Sequence, residues 1–492
     1  MSARPRSPLE LIHPRGFARR SCVVGARCPE SLRPASDTDG PYDLIVVALS
    51  AGAALTGLAE RALALVTRRL EAEGVAYVLA PRLGRTRLRR AIVACGLRTE
   101  LEIVHLPDST SSLVLAALEP PVLRYALEEF ILLQGWKRRA AMIAASRPRA
   151  AAAALSPLGL VVRRPASSPS FDWLPKLTGT AAASVVISRL RPAGAGSFVA
   201  HGFRQGDARP SLVAKIVPVA DATLDRESST LVSGAAVSAR AAGAKVPGLL
   251  RSGTIGDARV LVLERLDGHL AATLLARSPE RFGDVLGRLT HWLVEWGRVT
   301  GRLTRLASAS LDDWILRPAR LLAGAIDRGE AYVAQLERLC ADASGQEVVV
   351  TAAHNDLSMW NVVVANDGSF GIVDWEAAST RSLPLIDFYY AAVDAAAATR
   401  AYADRLRAFS SIFGDGSVPA GRTAELESIV LNGLSIDRTS ARLAFHACWL
   451  HHAVNELQRT SGVQSGPFVR IVQSIAEMET SDTSAKTPGA MT

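Results

Sequence analysis

A chain of 492 residues and 52.2 kDa exceeds what one ordinary hydrophobic core supports, which excludes a single small module and favours two or three domains. Hydrophobic residues at 49% and charged residues at 21% exclude a disordered or collagen-like chain. The net charge is +9, and 51 of the 56 basic residues are Arg, so a lysine placed for a task stands out.

The basic excess is local. Residues 1–170 hold 24 Lys and Arg against 14 Asp and Glu, whereas residues 171–492 hold 32 against 33. A basic segment of this kind could meet nucleic acid, an acidic partner or a membrane surface, but Arg-rich helices are usually solvated faces, and that is the reading favoured; no specific nucleic acid is expected, and a protein partner is the alternative for the segment. The amino terminus, MSARPRSPLELIHPRGFARR, lacks the apolar stretch of a secretory signal. Leu44 to Ala59 is short for a membrane span and is broken by Ser50, Gly52, Thr56 and Gly57. Five scattered cysteines without a CxxC point to reduced thiols, and a soluble cytoplasmic protein is the expectation. Cys448 lies between His446 and His451 at spacings that keep the three off one helix face, so a packed helix is expected there and not a metal site.

Residues 1–41 form a basic amino-terminal segment with room for one strand, with Gly25 in that stretch. From residue 42, strand and helix signals alternate: LIVVAL (Leu44 to Leu49), an amphipathic stretch from Leu58 to Glu73 stopped by Gly74, VAYVLA (Val75 to Ala80), a helix from Arg85 to Gly96, and ELEIVHL (Glu100 to Leu106). LGLVVRRP (Leu158 to Pro165) closes a region, residues 42–166, expected to be an α/β domain with a partial, Rossmann-like parallel sheet. The Ser- and Pro-rich ASSPSFDWLPK after it reads as a linker. The pattern of Tyr42 to Ala48 and Gly74 to Arg82 resembles the later half of class I S-adenosylmethionine-dependent methyltransferases, but no GxG turn precedes it to seat that cofactor.

Residues 167–265 are expected to form a β-rich lobe. SVVISRL, SFVAHGF and SLVAKIVP are three strands, and the last carries Lys215, one of five lysines in the chain. Glu227 lies twelve residues on, in a helical stretch. Gly194 and Gly196, or Gly179, could form a phosphate-covering turn. VPGLLRSGTIGDARVLVLERLDG reads as two strands joined by Thr254 to Asp257, followed by a connection over Val262 to Arg265 in which the side chain of Glu264 need take no part.

From Ser278 the pattern is helical, and residues 266–480 are expected to form a larger, mainly α lobe, with 481–492 a disordered tail. Trp292, Trp296 and Trp314 read as core residues in place of a ligand cage. Within this lobe lies the strongest signal of the chain, HNDLSMWNVVVANDGSFGIVDWEAAS, residues 354–379. Val362 to Val364 and Phe370 to Val373 make a hairpin over the turn Asn366-Asp367-Gly368, and this gathers Asp356, Asn361 and Asp374 at one end of the ribbon. Two carboxylates and an amide form a hard-oxygen site suited to Mg²⁺ and polyphosphate. Phosphoryl transfer from ATP needs an acceptor hydroxyl held in line, its proton taken, and phosphate charge neutralised by metal and lysine.

The stretch resembles the aminoglycoside phosphotransferase and choline kinase group, which implies an α+β, two-lobed protein-kinase-like fold over about residues 170–480 and phosphorylation of a small-molecule hydroxyl. The resemblance implies Asp356 as proton acceptor, Asn361 and Asp374 as Mg²⁺ ligands, Lys215 with Glu227 as the ATP phosphate clamp, His354 as loop support and Asp387 as a structural acid behind the loop. Asn355 stands where the commoner pattern has Gly, and Trp360 precedes Asn361. The acidic candidates for binding a polycationic acceptor, Asp312, Asp313 and Asp394, form no dense cluster. Two other readings stand beside this one: a pseudokinase scaffold without turnover, and a partial methyltransferase completed by a partner.

Overall fold

The computed structural model describes residues 8–16, 18–25, 33–34, 41–50, 57–80, 85–107, 113–132, 135–147, 158–179, 184–189, 197–256, 258–414, 418–459 and 466–485. Two compact units emerge: residues 1–228 with 247–265, and residues 229–246 with 266–492.

The first unit is built on one sheet of twelve strands: β1 (Ser21–Gly25), β2 (Arg33–Pro34), β3 (Tyr42–Ala48), β4 (Leu70–Ala80), β5 (Arg98–Pro107), β6 (Leu113–Ala117), β7 (Leu158–Arg163), β8 (Ser184–Arg189), β9 (Phe198–Phe203), β10 (Leu212–Pro218), β11 (Leu249–Ile255) and β12 (Ala258–Glu264). Their order is β11-β12-β10-β9-β8-β6-β5-β7-β4-β3-β1-β2. Among the described strands of this sheet, only β2, β1, β3 and β4 pair in parallel; β7 enters antiparallel between β4 and β5. The partial, Rossmann-like parallel sheet expected for residues 42–166 is therefore corrected to a mixed one, because β5 does not pair with β4: β7 lies between them and runs antiparallel to both.

The sheet does not stop where the α/β pattern ends. Leu115 and Ala116 of β6 pair antiparallel with Ile187 and Val186 of β8, which joins the amino-terminal strands to the strand carrying Lys215 through β9 and β10. Helices α1 (Leu58–Arg69), α2 (Arg85–Ala94), α3 (Pro120–Glu129) and α4 (Gly135–Ser146) contribute to one core with Ile45, Val78, Val104 and Val186. A second core gathers Leu9, Leu11, Ile12 and the residues of α5 (Trp173–Thr178), Trp173 and Leu174, with Tyr77, Val161, Ile187, Phe198, Ile216 and Val262. The stretch read as a linker is thus packed structure: Trp173 Nε1–H donates to the Leu11 carbonyl at 2.8 Å, and the Phe171 N–H to that of Ile12 at 3.2 Å.

Two glycines differ from expectation. Gly74 does not stop α1, which ends at Arg69 when Leu70 turns extended; it lies inside β4, where a side chain would meet the Tyr42 carbonyl at 3.0 Å. Gly179, φ 67°, ends α5 by donating its N–H to the Pro175 carbonyl, which explains that glycine as a helix terminator. Gly194 and Gly196 lie outside the described residues. Helices α1 and α2 carry seven basic residues and one acidic, so much of the basic excess sits on this helical layer.

The second unit holds two small sheets. One is β13 (His269–Leu270), β16 (Val362–Val364) and β17 (Phe370–Ile372); the other is β14 (Arg302–Arg305), β15 (Glu347–Ala353) and β18 (Ser379–Ser382). Around them lie α7 (Ala271–Arg277), α8 (Phe282–Thr300), α9 (Gly329–Ala343), α10 (Ile386–Ala398), α11 (Arg405–Phe413), α12 (Val418–Leu434), α13 (Arg438–Arg459) and α14 (Pro467–Ala485); α6 (Thr223–Val232) precedes them in the chain. Trp292 and Trp296 stack at 4.9 Å, and Trp296 meets Trp375 edge-on at 5.8 Å, so both are core residues. Helix α14 runs to Ala485, so residues 481–485 are helical and not part of a tail, because the helical hydrogen-bond run begun at Pro467 continues through them. His446 bonds Tyr332 and His451 bonds Asn455 while Cys448 is buried. No helix among the described residues is long and apolar enough to cross a membrane.

Because β6 covers the edge of β8 and the second core runs from Val23 of β1 to Val262 of β12, a chain beginning at residue 167 exposes Val185, Ile187 and Phe198, each at most 4% exposed in the whole protein. Such a truncation is expected to be insoluble or to lack a cooperative thermal transition, measured by near-ultraviolet circular dichroism. A soluble, cooperatively folding fragment would contradict the single-sheet account.

Candidate active site

In the first unit, strand alternation turns Lys215 of β10 to the side opposite its neighbours Ala214 and Ile216. Lys215 is 5% exposed, and its ammonium reaches both oxygens of Glu227, at 2.7 and 2.6 Å. Glu227 is wholly buried on α6. A buried lysine needs such a partner, because removing one member of a buried pair costs about 3–5 kcal/mol. Sequence reasoning placed these two residues twelve apart on a strand and a helix, and the structure brings them together.

In the second unit, the loop from His354 to Asn361 connects β15 to β16. Its backbone turns inward, and its N–H groups are taken by carboxylates. Asp387, 5% exposed at the start of α10, accepts from the His354 N–H at 2.6 Å and the Asn355 N–H at 2.8 Å. Asp394, 0% exposed and two turns further along the same helix, accepts from the Met359 N–H at 2.7 Å. His354 Nε2 bonds the Val373 carbonyl at 3.0 Å, and its ring meets Trp375 edge-on at 4.9 Å.

The loop then locks its own polar residues. Asn361 Nδ2 donates to the Asp356 carbonyl at 2.8 Å and to Asp356 Oδ2 at 3.3 Å, and the Ser358 N–H donates to the same carbonyl at 2.8 Å. With its Nδ2 so engaged, Asn361 has Oδ1 left as a hard-oxygen donor. The Val373 N–H bonds the Asn361 carbonyl at 3.0 Å, so the residue that follows, Asp374, stands at the open end of the β16–β17 hairpin beside the loop. Asn361 and Asp356 are thus in contact, and Asp374 follows the residue bonded to the Asn361 carbonyl. Asp374 and Asn355 both take left-handed backbone, φ 68° and 62°. Of non-glycine residues Asn tolerates that conformation best, which accounts for Asn355 where the commoner pattern has Gly.

The three acidic candidates for a polycation are all engaged by arginine. Asp312 pairs with Arg320 at 2.9 Å, Asp313 with Arg317 at 2.6 Å, and Asp394 with Arg405 at 2.5 Å. Sequence reasoning missed the role of Asp394 and the residues around it, Tyr402 and Arg405; the available signal was the seven-residue step from Asp387, which sets both carboxyls on one helix face.

Residues 200–420 match the family model described as the phosphotransferase enzyme family. The C-terminal part of the chain carries a domain of this family. Among solved structures, an aminoglycoside phosphotransferase from Streptomyces rimosus in complex with ADP and streptomycin is similar at 15% identity, covering 53% of this chain and 94% of its own, with a TM-score of 0.34. An aminoglycoside phosphotransferase in complex with GDP and kanamycin is similar at 12% identity, over 63% and 97%, with a TM-score of 0.40. A protein from Haemophilus somnus assigned as a fructosamine-3-kinase is similar at 10% identity, over 62% and 94%, also at 0.40. No curated protein matches the chain by sequence.

Burial raises the Asp387 carboxyl to about 6, against the pull of the two N–H groups it accepts. The folded carboxyl holds its proton more tightly than the unfolded one, so this group makes stability fall as pH rises from the ordinary aspartate range to about 6. Protonation nevertheless removes an acceptor from the loop. If the loop is catalytic, kcat is expected to fall on the acid side with a midpoint near 6, and Asp387→Asn, which cannot titrate, should flatten that limb while lowering the plateau. A pH–rate profile with the same acid limb in the variant would assign it to another group.

Proposed function

We propose that this protein is an ATP- and Mg²⁺-dependent phosphotransferase that phosphorylates a hydroxyl of a small molecule. The observation that carries the reading is the loop lock, in which Asn361 holds Asp356 by carbonyl and carboxylate while the hairpin sets Asp374 alongside. A fixed carboxylate at the acceptor hydroxyl and a separate hard-oxygen pair divide the work as phosphoryl transfer requires. The family match over residues 200–420 supports the same class.

In this scheme Asp356 accepts the proton of the acceptor hydroxyl. Asn361 Oδ1 and the Asp374 carboxylate would hold Mg²⁺, which when bound supplies neutralisation of phosphate charge. Lys215 bears on the α and β phosphates, and Glu227 holds the ammonium in place. The backbone of Val262 to Arg265 faces the adenine. The acceptor is a small hydroxyl compound; the engagement of Asp312, Asp313 and Asp394 by arginine speaks against a polycationic one. Four described cysteines are free thiols, which supports a reducing, cytoplasmic setting.

An ADP-release screen against hydroxylated metabolites, with Asp356→Ala as blank, tests the reading. The substitution is expected to lower turnover by on the order of 10²–10⁴ while leaving nucleotide binding in place. Metal-dependent turnover that survives Asp374→Ala would defeat the scheme.

A further inference from the structure

We propose that Asp394 and Arg405 form a positioning pair that fixes the Asp356 loop from behind; the inference rests on the phosphotransferase reading for its effect on rate, but not for its effect on the loop. The acid occupies a place with no access to an acceptor. Asp394 is 0% exposed, and its oxygens are fully engaged: Oδ2 by the Met359 N–H at 2.7 Å and the Tyr402 hydroxyl at 2.8 Å, Oδ1 by Arg405 Nη2 at 2.5 Å. Three donors converging on one carboxylate explain why the residue is an acid and not an amide, since an Asn would turn N–H groups toward donors.

The pair is poorly explained as an energy source for the fold. A buried ion pair is often matched or bettered in stability by packed apolar side chains. An apolar pair cannot accept the Met359 N–H, and that bond is what the arrangement adds. Met359 is itself 0% exposed, so its N–H has no water to turn to. Arg405 in turn sets its guanidinium against the Asp394 carboxylate, with Nη2 2.5 Å from Oδ1. Its guanidinium lies 4.7 Å over the Phe468 ring and 5.4 Å over that of Tyr402, and its Nε has no hydrogen-bond partner among the described residues, so the group is placed for the carboxylate and the rings.

The reach of the pair extends to the residue beside Asn361. Trp360 stacks on Tyr402 at 5.9 Å and 21°, so one tyrosine serves both the Asp394 carboxylate and the loop's tryptophan. The loop is thereby clamped at two points by carboxyls seven residues apart on α10: Asp387 takes 354 and 355, and Asp394 takes 359. Asp356 lies between the clamps, its carbonyl held from within the loop. Loss of the second clamp frees the span from 356 to 361 at its far end, and displacement of a reacting group by about 1 Å can cost on the order of 10²-fold in rate.

The test uses the full-length protein with Asp394→Asn, Arg405→Lys and Arg405→Ala. Backbone hydrogen exchange over residues 356–361 is expected to speed by about tenfold or more in Asp394→Asn and Arg405→Ala, with exchange in α8 unchanged. Turnover of any acceptor found should fall by on the order of 10²-fold with the KM for ATP altered less than about twofold, and methylguanidinium added to Arg405→Ala should restore part of both the protection and the rate. Arg405→Lys keeps the charge and should fall between. Exchange in the loop equal to wild type, or loss of protection spread evenly across the second unit, overturns the proposal. A wild-type protein without turnover, whose loop still loosens in Asp394→Asn, sinks the phosphotransferase reading and leaves the positioning role standing.

Discussion

A loop that presents polar side chains while its own backbone is buried must find acceptors for its N–H groups, because each one left unpaired costs free energy comparable to a lost hydrogen bond. Asp387 and Asp394 are those acceptors for residues 354, 355 and 359. The rest of the second unit is arranged to keep them there. Helix α10 sets both carboxyls on one face, α11 sends Arg405 to balance the second, and α14 supplies the Phe468 ring under the guanidinium. The chemistry of Asp356 and Asn361 follows from this support, since an amide can hold an aspartate by carbonyl and carboxylate together only if the chain between them is fixed.

In the first unit the controlling constraint is different. The strand bearing Lys215 belongs to a sheet whose other end is formed by β2, β1, β3 and β4, and both apolar layers extend from one end toward the other. The amino-terminal third therefore acts as an extension of the sheet that holds the Lys215–Glu227 pair. Its basic charge lies in part on α1 and α2, on the helical side, and has no evident part in the pairing of Lys215 with Glu227.

Much of the candidate site was legible in the sequence because its signals are short and local. The HxD spacing, the Asn366-Asp367-Gly368 turn and the rare lysine each sit within a few residues of what they organise. Asp387 was legible by resemblance alone. Asp394 was read as a possible ligand for a cationic acceptor, because exposure and partners are not written in sequence; its seven-residue step from Asp387 was the one clue. The joining of β6 to β8 rests on pairing between residues about seventy apart, and apolar strands such as LVLAA and SVVISR carry no mark of which neighbour they take. Gly74 misled because a glycine after an amphipathic run resembles a helix stop, whereas here it gives β4 room beneath the Tyr42 carbonyl. The packing of Trp173 and Leu174 was hidden by the Ser and Pro around them.

The central proposal is that Asn361 and Asp374 of the second unit hold the metal of a metal–nucleotide complex. Isothermal titration of the full-length protein with ATP, with and without Mg²⁺, tests it most directly. The account predicts one saturable site whose affinity rises when Mg²⁺ is present, and loss of that metal dependence in Asp374→Ala. No binding by the folded wild-type protein, or binding in which Mg²⁺ and Asp374 make no difference, would contradict it.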